Sequence, residues 1–121
     1  MSENIVYEKS YSLALRIIKL YLFLSKEKRE FVLSKQILRS GTAIGALISE
    51  AKFAQSKADF INKMHVALKE ANETLYWLSL LKDSNHITME IYNSIFPEAN
   101  AIVYLLIAIL KNAKGLKNNK E

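Results

Sequence analysis

Few side chains in this sequence are of a type and spacing that could do covalent or metal chemistry. There is no cysteine and there are two histidines, His65 and His86. The missing cysteine removes disulfides, thiolate nucleophiles and thiolate metal ligands together. A carboxylate-bridged metal centre in a helical protein needs inward glutamates and Glu-x-x-His pairs, whose spacing puts both ligands on one helix face. No Glu-x-x-His occurs, and Asp83-x-x-His86 lies in a polar cluster expected to be a turn. His65 flanks an apolar helical stripe beside Lys69, Asn72 and Tyr76. A lone imidazole there reads as a hydrogen-bonding flank residue, since one ligand does not hold a metal. Glu70 and Glu73, at i and i+3, are the best acid/base couple available. Lys63 and Lys69 lie near them, and Arg39 and Glu50 on the preceding helix can supply inter-helix partners. Such networks perturb pKa values without doing chemistry, so Arg39, Glu50, Glu70 and Glu73 are expected to form structural ion pairs. No Gly-x-Ser-x-Gly elbow supports a serine nucleophile. The expectation is a protein that is not an enzyme and uses no metal or cofactor.

What remains is electrostatic. Of a formal net charge of +5, most sits in two places. Residues 9–39 carry Lys9, Arg16, Lys19, Lys26, Lys28, Arg29, Lys35 and Arg39 against Glu27 and Glu30, and Lys111, Lys114, Lys117 and Lys120 oppose only Glu121. Lys9, Arg16, Lys19 and Lys26 fall within an arc of about 100° when each residue advances about 100°. Lys28 and Arg29 follow in a charged turn. Cations on one face neutralise phosphates without reading sequence, and Tyr7, Tyr11 and Tyr21 lie close enough in sequence to stack bases if exposed. These six cations are therefore the expected nucleic-acid contacts, with the tail lysines as a second patch. No helix-turn-helix or RNA-binding consensus supports sequence-specific readout. The alternative is an oligomeric scaffold for another protein, in which the lysines only solvate the surface.

The elements that must position these residues are helices. Three glycines and one proline punctuate 121 residues, and nothing alternates with period two. The chain reads as one all-α domain over residues 1–121, an antiparallel up-down four-helix bundle. Its helices are expected over about 9–26, 30–54, 57–82 and 88–114, with a polar tail over 115–121. Leu13, Ile17, Leu20 and Leu24 give the first helix its core face. Leu33, Ile37, Ser40, Ile44, Leu47 and Ala51 make a bundle seam of the second. Two glycines in its middle, Gly41 and Gly45, cost about 1 kcal/mol each relative to alanine, which calls for close approach of a neighbouring helix. A phosphate-cradling glycine loop would need a preceding strand, and none is present. Ser56 with Asp59 forms a capping box before the third helix, and Thr88 is a candidate cap for the fourth. Pro97 must kink the fourth helix or start a new segment. Beyond it, Ala101–Leu110 is apolar on every side. That surplus, with the wide apolar arc of the first helix, predicts a homo-oligomer with Leu15, Leu22, Leu105, Leu106 and Ile109 at its interface. The run is too short to span a bilayer, and the first residues lack the pattern of a secretory signal. The expected compartment is the cytoplasm, with no membrane partner.

Residues 36–51, from Gln36 through Gly41, Gly45 and Glu50 to Ala51, resemble a known family, and the stretch from Ser56 through Asp59, Glu70, Glu73 and Trp77 to Leu78 resembles it further. This is the family of 23S rRNA-intervening-sequence proteins, small four-helix-bundle proteins, and the likeness covers roughly residues 8–114. Ala43 and Leu47 stand where the family commonly has serine and asparagine, and His65 where serine is common. The resemblance implies an up-down bundle assembled as a pentameric ring or barrel, and no settled activity. A fold relative, the accessory protein of diversity-generating retroelements, is linked to nucleic-acid and reverse-transcriptase binding. Structural ion-pair roles are what the matching positions Arg39, Glu50, Glu70 and Glu73 lead one to expect.

Overall fold

The computed structural model describes residues 2–115, which form α1 (Ser2–Lys26), α2 (Leu33–Ala51), α3 (Lys57–Asp83) and α4 (Met89–Ala113). Each helix packs on its neighbours in the chain and α4 closes back on α1, so the four stand at the corners of a square. The antiparallel four-helix bundle expected from the sequence is the fold.

The helix limits differ from the expected ones for local reasons. α1 begins well before Lys9, because Val6 and Ser10 continue the buried stripe of Leu13, Ile17, Leu20 and Leu24 at alternating four- and three-residue steps. α2 starts three residues late. Arg29 adopts the left-handed conformation (φ 53°) and breaks the chain direction. The Glu30 carboxylate then caps α2, accepting from the amides of Val32 (3.1 Å), Leu33 (2.9 Å) and Ser34 (2.7 Å). α2 ends at Ala51 because the next amides switch to three-residue steps, Phe53 N to Glu50 O at 3.0 Å and Ala54 N to Ala51 O at 3.1 Å. Ser56 caps α3 by accepting from the Asp59 amide, and Thr88 caps α4 by accepting from Ile91, each at 3.1 Å. Pro97 neither splits nor starts α4, which runs through it. The proline and Asn93, whose carbonyl loses its helical partner, both lie on the exposed side, where water can serve that carbonyl.

The α1–α2 seam is tight. A Cβ built on Gly41 would stand 2.8 Å from Ile17 Cγ1, closer than real side chains come, while one on Gly45 would meet Ser10 at an ordinary 3.6 Å. Gly41 is thus the glycine that the close approach requires. Between α2 and α3 a buried polar contact crosses the core: Thr74 Oγ1 lies 3.0 Å from Ser40 Oγ and 2.9 Å from the Glu70 carbonyl.

α4 corrects the interface expectation. Leu106 is 0 % exposed and Ile109 6 %, because they continue the stripe Ile95, Ala99, Ile102 into the bundle's own core. Neither is free to meet a partner. Leu105 is half-buried, and the outer side of α4 is Ala101, Tyr104 and Ala108. By length and mean hydropathy α4 could cross a membrane. Its buried stripe accounts for that hydropathy.

Candidate nucleic-acid interface

Lys9, Lys19 and Lys26 project from α1, and Lys28 and Arg29 from the α1–α2 turn; all five are exposed. Their order follows from the helix period, which puts residues 9, 16, 19 and 26 on the edge of α1 that faces α4. Lys28 Nζ lies over the Phe23 ring at 5.8 Å and Arg29 Cζ over the Phe31 ring at 6.0 Å, contacts that leave both charges uncancelled.

Arg16 is the correction in this set. Nη1 donates to Glu98 Oε2 at 2.7 Å and to the Ser94 carbonyl at 3.0 Å, and Nη2 donates to Ser94 Oγ at 2.7 Å. A guanidinium spent on three oxygens is an α1–α4 tie, not a free phosphate contact. The sequence hides this because Glu98 is 82 residues away. Of the tail lysines, Lys117 and Lys120 lie outside the described residues. Lys114 Nζ is 2.6 Å from His65 Nε2, so the flank histidine does find a hydrogen-bond partner. Among the described residues no group of histidine and carboxylate side chains could hold a metal ion.

The four residues expected as ion pairs sit between α2 and α3. Arg39 Nη1 donates to Glu70 Oε2 at 3.2 Å, and Nη2 to Glu73 Oε2. Glu70 Oε1 is within 3.1 Å of Arg39 but off the line of a hydrogen bond. Trp77 Nε1 also donates to Glu73, at 2.9 Å. The indole donor first, then the guanidinium, hold the Glu73 carboxyl below its ordinary value against partial burial. Glu73 and then Glu70 raise the Arg39 guanidinium. Both carboxylates being occupied by donors, neither is placed to exchange a proton with a ligand. Glu50 pairs with Lys63 at 3.4 Å rather than with this cluster.

Two hollows matter. Because the bundle runs up and down, the α1–α2 and α3–α4 turns meet at one end and enclose a cleft of about 530 Å³. Phe23, Met89 and Ile91 give it an apolar wall, and Lys28, Lys82 and His86 stand on its rim. Lys82 and His86 were not attached to the basic site by sequence reasoning. The topology carried the signal, since alternate turns of an up-down bundle share an end. The second hollow, about 390 Å³, runs between α1 and α2. Tyr11, Leu15 and Ile18 wall it against the small residues Thr42, Gly45 and Ala46. Leu15 (51 % exposed) and Leu22 (42 %) lie with Tyr11 and Ile18 in one outward stripe at four-, three- and four-residue steps.

Fold and surface together define a small all-α bundle with a cationic helix edge and an uncovered apolar stripe. The family of 23S rRNA-intervening sequence proteins matches over residues 2–108, and the chain belongs to that family. It is similar to a crystal structure of a protein with unknown function from the S23 ribosomal protein family of Bacteroides thetaiotaomicron. The two are 58 % identical, with a TM-score of 0.90, over 92 % of this chain and 99 % of that one. No curated protein matches.

Proposed function

We propose that the protein is a non-enzymatic, homo-oligomeric bundle that binds structured RNA or DNA through phosphate contacts. One observation carries the reading: Lys9, Lys19, Lys26, Lys28 and Arg29 are exposed, and none has a carboxylate partner among the described residues. Each such cation that meets a phosphate releases a counterion, so binding weakens steeply with salt. Replacing Lys19 and Lys26 together by glutamate should weaken binding to an RNA hairpin and to duplex DNA alike. It should also reduce the salt slope by about 2, one unit for each lost contact. Anisotropy titrations between low and physiological salt read both; unchanged affinity would remove α1 from the interface.

The stripe of Tyr11, Leu15, Ile18 and Leu22 supports the oligomer, since an exposed helical seam of this kind is covered by a second helix in an assembled protein. A pentameric ring is what the family resemblance implies. Leu15→Asp with Leu22→Asp should lower the solution mass to that of one chain while the helical signal stays intact. A variant that remains assembled would move the interface off α1. The α1–α2 hollow favours a second reading, a scaffold that binds a protein through apolar contacts. Binding then would be nearly indifferent to salt and absent for nucleic acid.

A further inference from the structure

Resting on the nucleic-acid reading, we infer that the cleft at the two-turn end receives an unpaired nucleotide of the bound strand, its base against the apolar wall and its phosphates on the rim. The volume of about 530 Å³ is that of a small-molecule site. Phe23, Met89 and Ile91 offer a half-exposed apolar face, and nucleobases stack on such faces once they leave a helix. Lys28 stands at the mouth with its ammonium over Phe23, where ring and cation would meet base and phosphate of one nucleotide. On the opposite rim Ser84 Oγ lies 2.8 Å from His86 Nδ1, which leaves Nε2 as the ring nitrogen for a ligand. Asp83 also lines the cleft and lies 3.6 Å from Lys82, so the rim is not uniformly positive. That mixture suits a base with donors and acceptors better than a bare phosphate cluster does.

Two further features favour a strand over a free mononucleotide. Among the described residues, the non-glycine positions with positive φ are Arg29 (53°) and Asn85 (65°), one on each turn of this end. They set both walls of the cleft in conformations that ordinary turns avoid. Beyond Lys28, cations continue along α1 at Lys26 and Lys19, seven residues or about 10 Å apart. That track outruns one nucleotide.

The test compares a labelled RNA hairpin, with a loop of unpaired nucleotides, against a blunt duplex of the same charge, for the full chain at physiological salt. The hairpin should bind about tenfold more tightly, in the range of one stacked base. Met89→Glu, at an exposed position, and Lys28→Ala should each bring the two affinities within about twofold. Lys19→Ala should weaken both RNAs equally and keep the preference. Equal binding of hairpin and duplex by the wild type, or a preference untouched by both cleft variants, overturns the cleft and leaves the phosphate reading standing. Failure to bind either RNA overturns both.

Discussion

α1 has two packed edges, and they are built on opposite principles. Toward α2 it presents Ser10, Ala14 and Ile17, and α2 answers with Gly41 and Gly45, so the backbones close until a single methyl group would collide. Toward α4 it presents Lys9, Ser12, Arg16 and Lys19, and the contact is made by long polar side chains over open hollows. The close seam is held by dispersion and shape, the open one by a guanidinium reaching three oxygens. One helix thus separates structural work from surface chemistry by edge. The cationic track lies on the edge that packing leaves loose.

The sharpest way to break that contrast is Gly41→Ala. The new Cβ would stand 2.8 Å from Ile17, a β-branched side chain with little rotamer freedom. Overpacking of this kind costs about 1–3 kcal/mol, and the helix propensity gained returns about 1. A net loss of about 1–2 kcal/mol in urea unfolding is expected; equal or higher stability would mean the seam is looser than it stands here.

Next comes the turn that sets the close seam. Glu30→Gln weakens the cap of α2 and should cost about 1 kcal/mol. Burial pushes the Glu30 carboxyl up, but the amides of Leu33, Ser34 and Val32, with His86 nearby, hold it below its ordinary 4.5. A carboxyl depressed on folding contributes stability that is present above its unfolded pKa and lost as pH falls through the folded value. The wild type should therefore lose more stability than Glu30→Gln when taken from pH 7 to below 4. Parallel losses would deny Glu30 that part.

On the open seam, a double-mutant cycle of Arg16→Ala and Glu98→Ala should give a coupling of about 0.2–1 kcal/mol, as for a part-exposed pair. A coupling well above that range would show this seam to be as rigid as the other. The smallest effect is expected from Gly45→Ala. Its Cβ finds ordinary contact at 3.6 Å from Ser10, so the variant should match the wild type or gain up to about 1 kcal/mol. A clear loss would place the tight approach at both glycines.

Fold and site differ in how far the sequence discloses them. Helix stripes, caps at Ser56 and Thr88, and the small-residue seam are local patterns, and local patterns carry through to the structure. The end of α2 and the cap at Glu30 were less plain, because a carboxylate two residues outside the helix did what a cap residue usually does. α4 misled for a geometric reason. Its composition is apolar all round, but Leu106 and Ile109 fall on the inward stripe, and what remains outside is two alanines and Tyr104. At the site, the exposed cations were legible singly. The bond from Arg16 to Glu98 and the meeting of Lys28 with Lys82 and His86 depend on which helices close the square.

The hydroxyl pair Ser40–Thr74 acts as a detent between α2 and α3. Apolar stripes interdigitate almost as well after sliding by one helical turn, but such a slide would strand two buried hydroxyls in a dry core. An alanine and valine in their place should keep the bundle folded while broadening the amide resonances of both helices, as register begins to drift. By fixing how far α3 extends beyond α2, this single contact also fixes the height at which the two turns face each other across the far end.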